Sequence, residues 1–230
     1  MSNYLIIGAS SGIGKALAEE LSSAGHQVYG TYHQHPQSHS SISYFSFNAL
    51  EDELSADDLP DSLDGLAYCP GSINLRPFAR IKAEAFKSDF DLQVIGAIKV
   101  LQTALPLLKK SESASVVLFS TVAVQTGFPF HAQVAVSKGA VEGLTRSLAA
   151  EWAPKIRVNA IAPSLTQTPL ASKLLSSEEK IQANAERHPL KKIGAAEDIA
   201  QMAAFLLSEK ASWISGQVYQ VDGGMSSIKA

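Results

Sequence analysis

Seven short apolar runs recur along the chain: Tyr4–Ile7, Gln27–Tyr32, Tyr44–Phe47, Gly65–Cys69, Ser115–Ser120, Ile156–Ile161 and Gln217–Val221. Between them lie stretches with apolar residues three and four apart: Ile13/Leu17/Leu21, Phe90/Val94/Ala97/Leu101/Leu105 and Val141/Leu144/Leu148/Trp152. Short apolar runs read as strands and the three-four spacing reads as helix. Their alternation predicts βαβ units, and so an α/β fold whose doubly wound, mostly parallel sheet carries helices on both faces. Val116-Val117-Leu118-Phe119 has no polar alternation, as a strand buried on both sides requires. Gly25 stands where the first helix should end, and Pro154 should close the helix that runs through Trp152.

Two stretches break the pattern. His33 to Ser43 is rich in Ser, His and Gln and reads as a mobile loop. Leu170 to His188, between Pro169 and Pro189, is polar with helical character and reads as an insertion outside the core. No repeat, linker or low-complexity tract divides the chain, so residues 1–230 are expected to form one domain.

Composition narrows the function. With 46% apolar residues, 18% charged residues and a net charge of −3 over 230 residues, nothing marks a nucleic-acid or anionic-membrane surface. The single cysteine, Cys69, cannot form an internal disulfide, which fits a reducing compartment. Met1-Ser2-Asn3 lacks the basic start of a signal peptide, and no uninterrupted apolar run approaches the ~18 residues of a membrane span. A cytoplasmic protein acting on small molecules is expected, with neither nucleic acid nor membrane as partner.

Directly after the first strand stands Gly8-Ala9-Ser10-Ser11-Gly12-Ile13-Gly14, with a helix following. Glycines there permit a tight turn and let backbone N–H groups approach a pyrophosphate at the helix N-terminus. A bare glycine pattern also serves as a plain structural turn. The strand before it and the helix after it favour dinucleotide binding, as at the first turn of a doubly wound sheet.

From this point the chain resembles the short-chain dehydrogenase/reductase family, whose turn reads Gly-x-x-x-Gly-x-Gly. The resemblance continues through Ile156-Arg157-Val158-Asn159-Ala160-Ile161-Ala162-Pro163, Pro189-Leu190 with Gly194, Glu197-Asp198-Ile199-Ala200, and Gly216 to Gly224. It implies a single-domain Rossmann-type fold in three α/β/α layers, with a substrate lid at about 165–190. It also implies a nicotinamide cofactor held by Gly8, Ser10, Ser11, Gly12, Ile13, Gly14, Thr31, Tyr32, His33, Asn48, Ala49, Gly71, Lys138, Pro163 and Thr168. Asn48-Ala49 resembles the family's adenine-contacting pair, with Asn for the usual Asp. Thr168 matches the Thr at the nicotinamide end, and Ser164 replaces a usual Gly.

The second strand ends Gly30-Thr31-Tyr32-His33, without the carboxylate that would bind the ribose hydroxyls of NAD and repel a 2′-phosphate. Ser10, Ser11, Thr31 and His33 could instead donate to phosphate, so NADP(H) is expected over NAD(H). His33, His35 and His39 share one polar loop without supporting partners, and no metal is expected.

The family's reductases carry Tyr-x-x-x-Lys, in which the Tyr protonates the substrate oxygen while the Lys lowers its pKa and holds the ribose. Lys138, in Ser137-Lys138-Gly139-Ala140, matches the Lys, but Val134 stands at the Tyr position. Thr121 occupies the position of the substrate-binding Ser, Gln93 that of a helix Asn, and Tyr68-Cys69-Pro70-Gly71 replaces Asn-Asn-Ala-Gly. His131 lies seven residues before Lys138, so a helix already formed there would put His131, Val134 and Lys138 on one stripe. Enoyl-thioester reductases, a divergent branch, place their Tyr at that spacing. His131 is therefore a candidate acid or substrate-orienting group with Thr121 assisting, or else a residue that merely caps the helix. Phe128 and Phe130 stand near the expected substrate mouth.

Two functions remain open. One is an NADPH-dependent reductase of a small carbonyl or enoyl-type substrate with a non-standard proton donor. The other is a catalytically inactive NADP(H)-binding sensor or partner subunit. The resemblance also implies a homodimer or homotetramer built on the long helices around Phe90–Leu108 and His131–Trp152.

Overall fold

A computed structural model describes residues 1–228 of the chain. In chain order it contains β1 (Asn3–Ile7), α1 (Gly12–Ser23), β2 (Gln27–Tyr32), β3 (Ile42–Ser46), β4 (Gly65–Tyr68), α2 (Ala83–Phe90) and α3 (Gly96–Leu108). There follow β5 (Ala114–Phe119), α4 (Ala123–Thr126), α5 (Ala132–Trp152), β6 (Ile156–Pro163), β7 (Thr166–Gln167), α6 (Glu178–Glu186), β8 (Gly194–Ala195), α7 (Ala196–Leu207) and β9 (Val218–Val221).

The seven apolar runs become one parallel sheet in the order β3-β2-β1-β4-β5-β6-β9, while β7 and β8 pair separately. Strand order reverses between β1 and β4, and the crevice beyond their C-terminal ends is where such sheets bind ligands. One face of the sheet packs on α3 and α5 through residues such as Leu66, Leu101, Val116 and Trp152. The other packs on α1 and α7 through Ile6, Leu17, Val117 and Ile199. All six residues of β5 are buried, as its unbroken apolar run requires. Arg157 reaches from β6 to the end of α7, donating to the Leu206 and Ser208 carbonyls at 2.9 and 3.0 Å, where a helix leaves acceptors unpaired.

Local differences from the sequence expectation have physical causes. β3 begins at Ile42, because Ile42 pairs with Val28 and packs into the core, so the loop after β2 ends at Ser41. Gly25, at φ +84°, ends the first helix as expected. The stripe from Phe90 to Leu105 is not one regular helix: a single wide π-type turn, Asp91–Ile95, joins α2 to α3. The run Ala83–Leu108 is by length and composition apolar enough to cross a membrane, and half of that window is buried within the fold. The segment expected to lie outside the core holds α6 but buries Ala171, Ala185 and His188 beneath it. It caps the end of the sheet, so its underside follows core rules while its outer face stays polar.

Candidate functional site

Two adjoining cavities lie at the C-terminal ends of the strands. The first, of about 350 Å³, is lined by the turn Gly8–Gly14 without Ala9, by Thr31, Tyr32, His33, Asn48, Ala49, Gly71 and Thr168. The second, of about 270 Å³, is lined by Gln93, Thr121, His131, Val134, Lys138 and Pro163, among others. Ile13, Cys69, Gly71, Thr168 and Leu170 line both, so the two are continuous. Folding thus brings together every residue that the sequence marked for cofactor and catalysis.

The glycine turn is a cradle with no room for side chains. Gly8 and Gly12 have φ of +79° and +53°, and a Cβ on Gly14 would lie 2.3 Å from the Gly8 carbonyl oxygen. Thr31 fixes this turn from beneath: its buried hydroxyl oxygen accepts the Gly8 amide at 2.9 Å. Thr31 thus supports the turn, and its O–H, which donates to no partner among the described residues, is left to the cavity that the residue lines. Ser11 precedes α1 without bonding its own helix, so its hydroxyl is available above the free amides of the first turn. Among the described residues no carboxylate lines this cavity.

Lys138 stands at the junction of the two cavities. A Cβ on Gly71 would lie 3.7 Å from its Nζ and 3.2 Å from Gln93 Oε1. Burial lowers Lys138 to about 8 against the opposing pull of Asp89 and Cys69. Gln93 Oε1 is buried without a hydrogen-bond partner among the described residues. An ammonium donor and an orphaned carbonyl acceptor side by side fit a ribose diol, which needs one of each. The residues present therefore fit a nicotinamide dinucleotide. Burial pushes the Cys69 thiol up to about 12 despite the neighbouring lysine, which removes it as a nucleophile.

The sequence reading missed the support beneath Lys138. Asp89, on α2, is buried and accepts from Ser137 Oγ at 2.6 Å, from Gln93 Nε2 at 2.8 Å, and from Ser72 Oγ. The wide turn after α2 sets Gln93 four residues on from Asp89, and the Leu92 carbonyl within it accepts the Tyr68 hydroxyl at 2.6 Å. Such turns often mark functional sites. The available signal was an Asp four residues before Gln93, on the same side of an apolar helix.

Of the hydroxyls after β5, Ser120 is buried and donates to Glu142 at 2.8 Å. Thr121 Oγ1 accepts the Ala123 amide at 3.3 Å, leaving its O–H to donate into the cavity. His131 is the residue immediately before α5, so the helix begins one position later than a stripe including it requires. It lines the cavity nonetheless with Val134 and Lys138. Its Nδ1 meets the Pro129 carbonyl at 2.8 Å, which can only accept, so Nδ1 carries a proton and Nε2 is the exchangeable atom. Phe128 lines the cavity, whereas Phe130, at φ +70°, is 55% exposed and does not. His188 accepts or donates at Ser164 Oγ, 2.9 Å away, and its Nδ1 meets the Asn184 carbonyl at 2.8 Å.

A family model described as Enoyl-(Acyl carrier protein) reductase matches residues 46–226. A tropinone reductase homolog of Arabidopsis thaliana is 34% identical, over 97% of this chain and 92% of that relative. A short-chain type dehydrogenase/reductase from Mycobacterium ulcerans has a similar structure, with a TM-score of 0.88 and 30% identity over 98% of this chain and 90% of that one. ElxO with NADP bound is similar too, with a TM-score of 0.88 and 26% identity over 99% of this chain and 100% of that one.

Proposed function

The chain belongs to the short-chain dehydrogenase/reductase family of oxidoreductases, and from that premise we propose that it is an NADPH-dependent reductase of a small carbonyl or enoyl-type substrate with a proton donor other than tyrosine. The observation that carries this reading is the placement of Lys138 Nζ and the orphaned Gln93 Oε1 on either hand of Gly71, where the dinucleotide cavity opens into the apolar one. Among the described residues no carboxylate surrounds the dinucleotide cavity, and this, with Tyr32 and His33 at the end of β2, supports NADP over NAD. ElxO, a relative in structure, binds NADP.

In this mechanism the glycine turn and the first amides of α1 would hold the pyrophosphate, and Lys138 with Gln93 would orient the ribose. NADPH, when bound, supplies the hydride. Thr121 donates to the substrate oxygen and stabilises the charge that develops there. His131 delivers a proton from Nε2 while Nδ1 stays bonded to Pro129, and takes its replacement from solvent at the cavity mouth. Val134 contributes an apolar wall. Reduction of an activated C=C bond suits this site, because the enolate oxygen needs only donors and the carbon proton can come later.

The test is NADPH consumption across enones, quinones, ketones and acyl thioesters, with His131→Ala and Val134→Tyr. Turnover lost in His131→Ala supports the mechanism; turnover unchanged in that variant overturns the role of His131. A competent pocket should gain carbonyl reduction in Val134→Tyr. Val134 itself favours a second reading, a sensor or partner subunit that binds NADP(H) without turnover. Tight NADPH binding with no consumption by any substrate would establish that one. Assembly as a homodimer or homotetramer in the cytoplasm completes the proposal; Val136, Gly139 and Gly143 on α5 leave room for a second helix, and light scattering reads the mass.

A further inference from the structure

Among the described residues, the apolar cavity is lined by four basic side chains, His131, Lys138, Arg187 and His188, and by no carboxylate. Three of them are already engaged: Lys138 Nζ stands beside Gly71, where the two cavities meet, His188 is bonded to Ser164, and His131 is assigned to proton transfer. Arg187 is left over. It follows α6 directly and is exposed at the rim. Its Nη1 donates to Asn184 Oδ1 at 3.3 Å, and its Cζ lies 5.9 Å from the centre of the Phe128 ring. The His131 ring approaches that same phenyl at 5.5 Å. Among the described residues no carboxylate lies within ion-pair distance of Arg187, and the neighbouring Glu186 is paired with Lys191 at 3.6 Å.

A guanidinium has five donors in a planar fork that matches a carboxylate. Here one is in use, and the group is steadied over an aromatic face at the mouth of an apolar chamber. We propose that Arg187 is a specificity residue, and that the cavity selects substrates bearing a carboxylate a few carbons away from the reacting C=O or C=C bond. The carboxylate binds Arg187 at the Phe128 rim, the apolar body fills the chamber, and the reacting carbon points inward to Thr121 and Lys138. The substrate class is thus a keto acid or enoic acid with an apolar body. This deepens the reductase reading and rests on it.

The experiment compares 3-benzoylpropanoate with its methyl ester by calorimetric titration of the protein, with and without saturating NADP⁺. The acid should bind roughly tenfold more tightly than the ester, the scale of a charge-assisted hydrogen bond. Arg187→Gln should remove that preference without altering NADP⁺ affinity, and Arg187→Lys should restore part of it. Arg187 is exposed and makes one weak side-chain bond, so these variants should fold, which a melt verifies. Equal binding of acid and ester, no detectable binding of either, or a preference that survives Arg187→Gln overturns the proposal. The readout is binding, so a protein that fails to oxidise NADPH yet prefers the acid refutes the reductase reading alone. Turnover of neutral ketones without acid preference refutes the carboxylate site alone.

Discussion

The Asp89 carboxylate and the Ser137 hydroxyl are joined by a 2.6 Å hydrogen bond that ties α2 to α5 one residue before Lys138. The bond fixes the helical turn that presents the lysine, and the carboxylate opposes the depression of its pKa by burial. The lysine is therefore held at about 8, close to working pH, rather than lower.

A lysine is charged below its pKa, so the ammonium that holds the cofactor is present at neutral pH and lost as the pH rises through about 8. NADPH affinity, followed by fluorescence titration, should decline over that interval. Asp89→Asn should move the decline to lower pH, because the supporting negative charge is gone. Lys138→Met should bind weakly at every pH and show no such decline.

Gly14→Ala should damage the dinucleotide cradle. The new methyl would meet a backbone oxygen at 2.3 Å, and a carbonyl in a positive-φ turn has nowhere to yield. The expected cost is about 1–3 kcal/mol by denaturant melting, together with weakened NADPH binding.

Gly96→Ala makes a sharper case. Its Cβ would sit 2.3 Å from the Tyr68 hydroxyl oxygen, which is itself bonded to Leu92. Alone, the substitution should cost about 1–3 kcal/mol, and Tyr68→Phe about 0.5–1.5 kcal/mol for the lost bond. The double variant should be more stable than their sum implies by roughly 1 kcal/mol, since removing the oxygen opens the space. Strict additivity in the melts would disprove the contact.

Phe130, at φ +70°, holds a backbone conformation costly to a side chain. Its carbonyl accepts the Arg76 amide at 3.2 Å, which anchors the loop after β4 to the start of α5. Phe130→Gly should melt above Phe130→Val by a margin worth about 1–2 kcal/mol. Thermal melts of the two variants are sufficient to decide it.

The sheet was legible in the sequence because parallel strands buried on both faces are written as unbroken apolar runs, Val116 to Phe119 most plainly. The glycine turn was legible because steric demand leaves no other residue at Gly14. Four features were not. Asp89 looks like any charged residue on a helix until α5 closes over it. The wide turn at Asp91–Ile95 leaves the three-four spacing of its apolar residues nearly intact. His188 ends a polar segment, and only the Ser164 and Asn184 bonds explain its burial. Arg187 has no sequence signal at all, since its place over Phe128 depends on two loops far apart in the chain. Local patterns record burial and backbone strain, whereas polar networks are assembled by tertiary contact.

The thiol of Cys69 has one more consequence. Held uncharged up to about pH 12, it should ignore maleimides and alkylating agents under ordinary labelling conditions. A second cysteine introduced on the outer face of α6 would then be the sole reactive handle on the molecule. A dye placed there would report directly on whether the segment carrying Arg187 moves when cofactor and acid bind, with no need to remove the native thiol first.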